Sequence, residues 1–134
     1  MTGARSLSEN PGMITNIRTV GVYVSDQEAA LRFYTEILGF ELRADHSMGR
    51  QGRWLEVAPP GAQSRLVIYP RAMMQDWDRR KPSVVFGCED VEAEYRRSSQ
   101  HGVTFNQTPT RMKWGAFAVF TDPDGNEFVL AEGS

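Results

Sequence analysis

One order of elements is written twice in this chain. The pieces VSDQEAA and LGFEL, within Val24–Leu42, are echoed by GCEDVEA and HGVTF, within Gly87–Phe105, about 64 positions later with one residue of slip. In each copy an alternating apolar strand leads into a capped helix, the helix stops at a glycine, and three strand candidates follow. A repeat of this kind means that each copy is one supersecondary unit, which must stack on its twin to bury its apolar face. A chain of 134 residues suits one such pair around a single core. The expected class is α+β, two βαβββ modules side by side.

Local chemistry sets the boundaries. Residues 1–14 are small, polar and without a period, so a flexible tail is expected there, with one domain over 15–132. Ile17 to Val24 alternates, with Val20, Val22 and Val24 on one side and Thr19, Gly21 and Tyr23 on the other. Ser25 and Glu28 spell a capping box. The helix after it carries Ala30, Leu31, Phe33, Tyr34, Ile37 and Leu38 on a broad apolar face. Gly39 ends it, because glycine adopts the left-handed conformation without a Cβ clash. Strands are expected at Phe40–Met48, Trp54–Ala58 and Arg65–Tyr69, completing module one over 15–70.

Residues 71–82 read as a linker with a short helical turn. In module two, 83–132, Val84, Phe86 and Cys88 alternate with Ser83, Val85 and Gly87. Its helix starts on Glu89-Asp90 and ends at Gly102, and Val103–Thr108 is the next strand. The hairpin Trp114–Ala131 closes the module through DPDG: Asp122 caps the turn, Pro123 presets its second position and Gly125 closes it.

This duplicated plan, with YVSD, FYTEILGFEL and DPDGNEFVL, resembles the glyoxalase/bleomycin-resistance/extradiol-dioxygenase superfamily, also called vicinal oxygen chelate proteins. The resemblance covers roughly residues 15–132. It implies a curved, half-open mixed-sheet barrel around a cavity, with the helices outside, and a homodimer. It does not imply one reaction, since the scaffold hosts several chemistries.

Metal-dependent members of that superfamily place four ligands, mostly His or Glu, on inward strand faces. By position these fall here at Thr19, Val67, Ser83 and Val129. Valine has no donor atom, and hydroxyls are weak partners for zinc, iron, manganese or nickel. The chain has two histidines, His46 and His101, and neither has a partner at ligand spacing. No metal is therefore expected, and no other cofactor, because phosphate loops and dinucleotide fingerprints are absent from the sequence.

Strand parity suggests where a guest would sit. The aliphatic faces should pack on the helices, leaving the opposite faces smaller and mixed. Tyr23, Trp54, Tyr69 and Trp114 could supply flat walls there, and Arg65 or Arg111 a charge. Glu56 and Glu127 are the candidate acid–base groups, although strand glutamates commonly face solvent. Cys88 falls on the helix side, as a buried thiol rather than a nucleophile.

Besides a domain whose dimer surface is its function and whose cavity is vestigial, two functions remain open from sequence. One is a metal-free protein that sequesters a planar or aromatic compound. The other is a divergent glyoxalase- or dioxygenase-like lyase, isomerase or oxygenase with unconventional or no metal ligands. A net charge of −2 gives no footprint for nucleic acid or an anionic membrane. With no apolar run of spanning length and no signal-peptide core, a cytoplasmic location is expected.

Overall fold

The computed structural model describes residues 17–132, and the tail expected over 1–14 lies outside them. The first sheet has the spatial order β1 (Thr19–Val24), β4 (Arg65–Pro70), β3 (Arg53–Ala58), β2 (Glu41–Ser47). The second repeats it as β5 (Val84–Cys88), β8 (Glu127–Glu132), β7 (Gly115–Thr121), β6 (Thr104–Met112). In each sheet the module's first and last strands pair in parallel, and the remaining neighbours are antiparallel. Among the described residues no strand of one sheet pairs with a strand of the other, so the curved sheet stays half open.

Helix α1 (Gln27–Arg32) does not start on the expected capping box. Asp26 is its N-cap, accepting from the Ala29 amide at 3.1 Å. Ser25 instead donates its backbone N–H to Asp124 Oδ1 across the modules at 2.9 Å, and Glu28 pairs with Arg53 rather than returning to the cap. Aspartate is at least as good a cap as serine, and here the serine position is already engaged. The helix then widens into a π turn over Phe33–Ile37, and Phe33 and Tyr34 are both buried in it. Gly39 follows at φ +80°, the left-handed stop expected of it. Helix α2 (Val91–Gln100) is capped by Asp90, which accepts from the Ala93 amide at 3.0 Å.

The strand parities hold. Val22, Val24, Leu66, Ile68, Phe128 and Leu130 are buried in one cluster with Phe33, Tyr34 and Val91, and Val20, Val84 and Phe86 pack against it. That core belongs to both modules: Tyr34 meets Phe128 edge-on at 6.2 Å, and Phe40 meets Phe86 at 5.4 Å. The DPDG turn forms as expected, with the Gly125 amide donating to Asp122 O at 3.0 Å. It also joins the modules, because Asn126 Nδ2 donates to Tyr23 O at 3.3 Å. Two short 3₁₀ turns, Arg71–Met73 and Trp77–Arg79, occupy the linker.

Candidate ligand-binding face

Each sheet turns one face to the shared core and leaves the other face outside it. On module one, register sets that inward face in rows across the strands. Tyr23 lies opposite Tyr69, Tyr69 meets Trp54, and Trp54 lies opposite His46. The next row is Gly21, Val67, Glu56 and Ala44, and beyond it Thr19 stands beside Arg65. Tyr69 is the hinge of the aromatic row, edge-to-face with Tyr23 at 6.0 Å and with Trp54 at 6.1 Å. All three rings are half-buried.

Glu56 does not face bulk solvent as a typical strand glutamate does; the residue is only 7% exposed. Trp54 Nε1 donates to its Oε2 at 2.7 Å and Arg65 Nη1 to its Oε1 at 2.9 Å. The indole N–H and then the guanidinium hold its carboxyl below the usual carboxylate range, against the opposing effect of burial. Alternation places residues 54 and 56 on one face, and the β3–β4 pairing of Glu56 with Val67 brings Arg65 within reach. The sequence signal for this group was the spacing W-x-E, legible only once the register was known.

The structure brings Tyr23, Trp54, Arg65 and Tyr69 together, and it does not bring Arg111 or Trp114 to them. Arg111 lies opposite buried Ala116 on the helix-facing side and donates to Glu132 at 3.0 Å. Glu132 in turn accepts from the Val91 amide at the start of α2 at 3.1 Å. Trp114 is 58% exposed at the β6–β7 turn, where it stacks on Phe117 at 6.3 Å. Phe117, not singled out from sequence, lies opposite Ala131 on the inward face of module two. Glu127 is exposed and accepts from Asn106 Nδ2 at 2.7 Å. It borders a cleft of about 440 Å³ with Lys81, Ser83, Val119 and Val129. Cys88 sits on the helix side with its thiol pKa raised by burial and by Glu94, which makes it a poor nucleophile.

The four positions that the family resemblance assigns to metal ligands do not fit one. Val67 stands beside Gly21, Val129 beside Val85, and Thr19 beside Arg65, while Ser83 lies just before β5. The nearest carboxylate in register, Glu56, has both oxygens engaged. Among the described residues no three His, Cys, Asp or Glu side chains converge as a ligand set.

A duplicated βαβββ chain with half-open sheets and a mixed aromatic–polar inward face defines a class of small barrel-like proteins rather than a reaction. Residues 16–130 match the sequence model of the Glyoxalase/Bleomycin resistance protein/Dioxygenase superfamily, and the chain belongs to that superfamily. It is 52% identical over 120 residues to the uncharacterized protein YetH of Bacillus subtilis (strain 168), covering 90% of this chain and 100% of YetH. A superfamily member from Sphaerobacter thermophilus DSM 20745 has a similar crystal structure, with TM-score 0.80 and 36% identity over 90% of this chain and 99% of that one. TnmS3 from Streptomyces sp. CB03234, described as an antibiotic binding protein, is similar at TM-score 0.78 and 38% identity over 92% of this chain and 99% of that one. No helix among the described residues is long and apolar enough to cross a membrane.

Proposed function

We propose that the protein binds and sequesters a planar or aromatic small molecule without a metal. The observation that carries this reading is the half-buried row Tyr23–Tyr69–Trp54, three rings in edge-to-face contact beside one fixed ion pair. Sites of this kind combine apolar walls with a few placed polar groups. The similarity to TnmS3, an antibiotic binding protein, supports the same reading. The alternative, acid–base catalysis by Glu56, draws no support from the site. A carboxyl held below its usual range, with both oxygens occupied, is a weak base at neutral pH.

The test is a thermal-shift screen of flat aromatic compounds, followed by titration of Tyr69→Ala and Phe86→Ala. Edge or face contact with one ring contributes about 0.5–1.5 kcal/mol beyond area burial. Tyr69→Ala should therefore weaken binding about three- to tenfold. It should also cost less stability than Phe86→Ala, whose ring contacts Phe40, Phe120 and Phe128. Unchanged affinity with a melting loss as large as that of Phe86→Ala would make Tyr69 a packing residue. A second copy of the chain belongs to the same reading, as the partner that the superfamily resemblance implies. A monomer by light scattering would remove that part.

A further inference from the structure

The inward face of module one changes character along its length. Four residues along β4 separate Tyr69, in the aromatic row, from Arg65 at the far end, about 13 Å at the rise of an extended strand. Arg65 also borders an open cleft of about 610 Å³, shared with Arg18, Arg43 and Ile17. Three guanidiniums therefore gather where the face ends.

Their partners decide what the cleft can receive. Arg43 donates to Glu41, Pro59 O and Ala62 O at 3.1–3.2 Å, which fixes its charge in place. Glu56 places one oxygen on the Trp54 N–H and the other on Arg65, so its charge is offset mainly by Arg65. Arg65 spends one Nη1 bond on Glu56, and its side chain remains 36% exposed. A guanidinium offers five donors in a planar fork, so an edge of Arg65 remains for a second acceptor. Arg18 is exposed, and its charge helps to lower the Glu56 pKa, so it lies within electrostatic range of this pair. Three positive groups thus face two carboxylates, Glu41 and Glu56, each already engaged.

We propose that the compound bound here carries an anionic group, a carboxylate or sulfonate, at one end of a flat aromatic body. Arg65 and Arg18 receive the anion while Tyr69 and Trp54 hold the rings. The inference rests on the reading of this face as an aromatic-compound site and adds the charge and length of its ligand. Glu56 is a positioning residue, which fixes Arg65 with one edge facing the cleft. A bidentate guanidinium–anion contact supplies both strength and orientation.

Two fluorescent probes separate the anchor from the wall. 1-Anilinonaphthalene-8-sulfonate and neutral N-phenyl-1-naphthylamine share a ring system and differ in the sulfonate. The intact protein should bind the sulfonate about tenfold more tightly at low salt. The preference should shrink at about 1 M salt, where the screening length falls to about 3 Å. The paired variant Arg65→Gln/Glu56→Gln removes the ion pair without stranding a charge and should cut the preference to the share that Arg18 retains, about threefold. Arg18→Gln, a change at an exposed side chain, should narrow the gap about threefold and serves if the paired variant fails to fold. Tyr69→Ala should weaken both probes alike. Equal affinities in the parent, or a preference that survives the Arg65 and Arg18 changes, would overturn the anion anchor and leave the aromatic site standing. If neither probe binds, or Tyr69→Ala leaves both unaffected, the aromatic site falls and the anchor falls with it.

Discussion

The phenolic hydroxyl of Tyr34, in the π turn of module one, donates to Asp122 Oδ2, in the closing turn of module two, at 2.9 Å, and both residues are buried. Asp122 also accepts from the Asp124 amide and from the amide and side chain of Asn126, so this one carboxylate organises the turn and receives the partner module. Burial, and then the Asp122 charge, raise the Tyr34 pKa well above the usual tyrosine value. Tyr34→Phe removes one hydrogen bond to a charged acceptor and is expected to cost about 1.5–3 kcal/mol in urea unfolding at neutral pH.

The same tyrosine sets an alkaline dependence. A raised pKa stabilises the fold fully below the unfolded value of about 10, and that stability is lost as pH rises above it. Unfolding at neutral pH and near pH 10.5 should show a parent that loses ground to Tyr34→Phe with alkali. A constant gap between the two would contradict the assignment.

Acid acts on the other face. The Glu56 pKa is lowered by Trp54 and Arg65, so its contribution is present above the unfolded value of about 4.3 and is lost as pH falls through the folded one. Glu56→Gln should melt below the parent at pH 7, and the difference should narrow as pH falls below the ordinary glutamate range. A difference that persists in acid would mean that the amide loses contacts other than the ion pair.

Gly52 lies at φ +134°, where a Cβ would come within 2.7 Å of Gln27 Oε1 and 2.9 Å of Pro70 Cγ. Gln27 cannot yield cheaply, since its Nε2 donates to Arg53 O and Ile68 O and its Oε1 accepts from the Arg53 amide. Gly52→Ala should therefore destabilise by about 1–3 kcal/mol, measured by chemical unfolding. Gly61→Ala, with φ +79° and open space around the added carbon, is the matched control, strained by backbone alone.

Chelation provides a direct check of the donor-set argument. Extended dialysis against a chelator should leave the melting temperature unchanged, and divalent zinc, nickel or manganese should not raise it. A metal-dependent rise would overturn the argument that Thr19, Val67, Ser83 and Val129 do not suit a metal.

What could be read from sequence followed the strength of local signals. The βαβββ order, the Gly39 stop and the DPDG turn each depend on a few adjacent residues, and the Val20/Val22/Val24 parity survives because β1 is unbroken. The cap was misplaced because Ser25 and Asp26 both satisfy cap chemistry, and the choice depends on Asp124, 99 positions away. The side to which Arg111 points was not legible, since two register shifts interrupt the alternation in β6. Glu56 was undervalued for the opposite reason. Its partners, Trp54 and Arg65, are close in sequence, but only the β3–β4 register shows that they converge.

The turn between β3 and β4, residues 59–64, is the counterpart in module one of the Asp122–Asn126 turn in module two. The two copies have taken separate duties. The later one clasps the halves through Tyr34, Ser25 and the Tyr23 carbonyl. The earlier one gives its Pro59 and Ala62 carbonyls to Arg43 at the mouth of the arginine cleft. Duplication has thereby released one turn from holding the fold together. A lineage can rewrite residues 60–64, and with them the taste of the cleft, while the clasp that keeps the halves joined stays untouched.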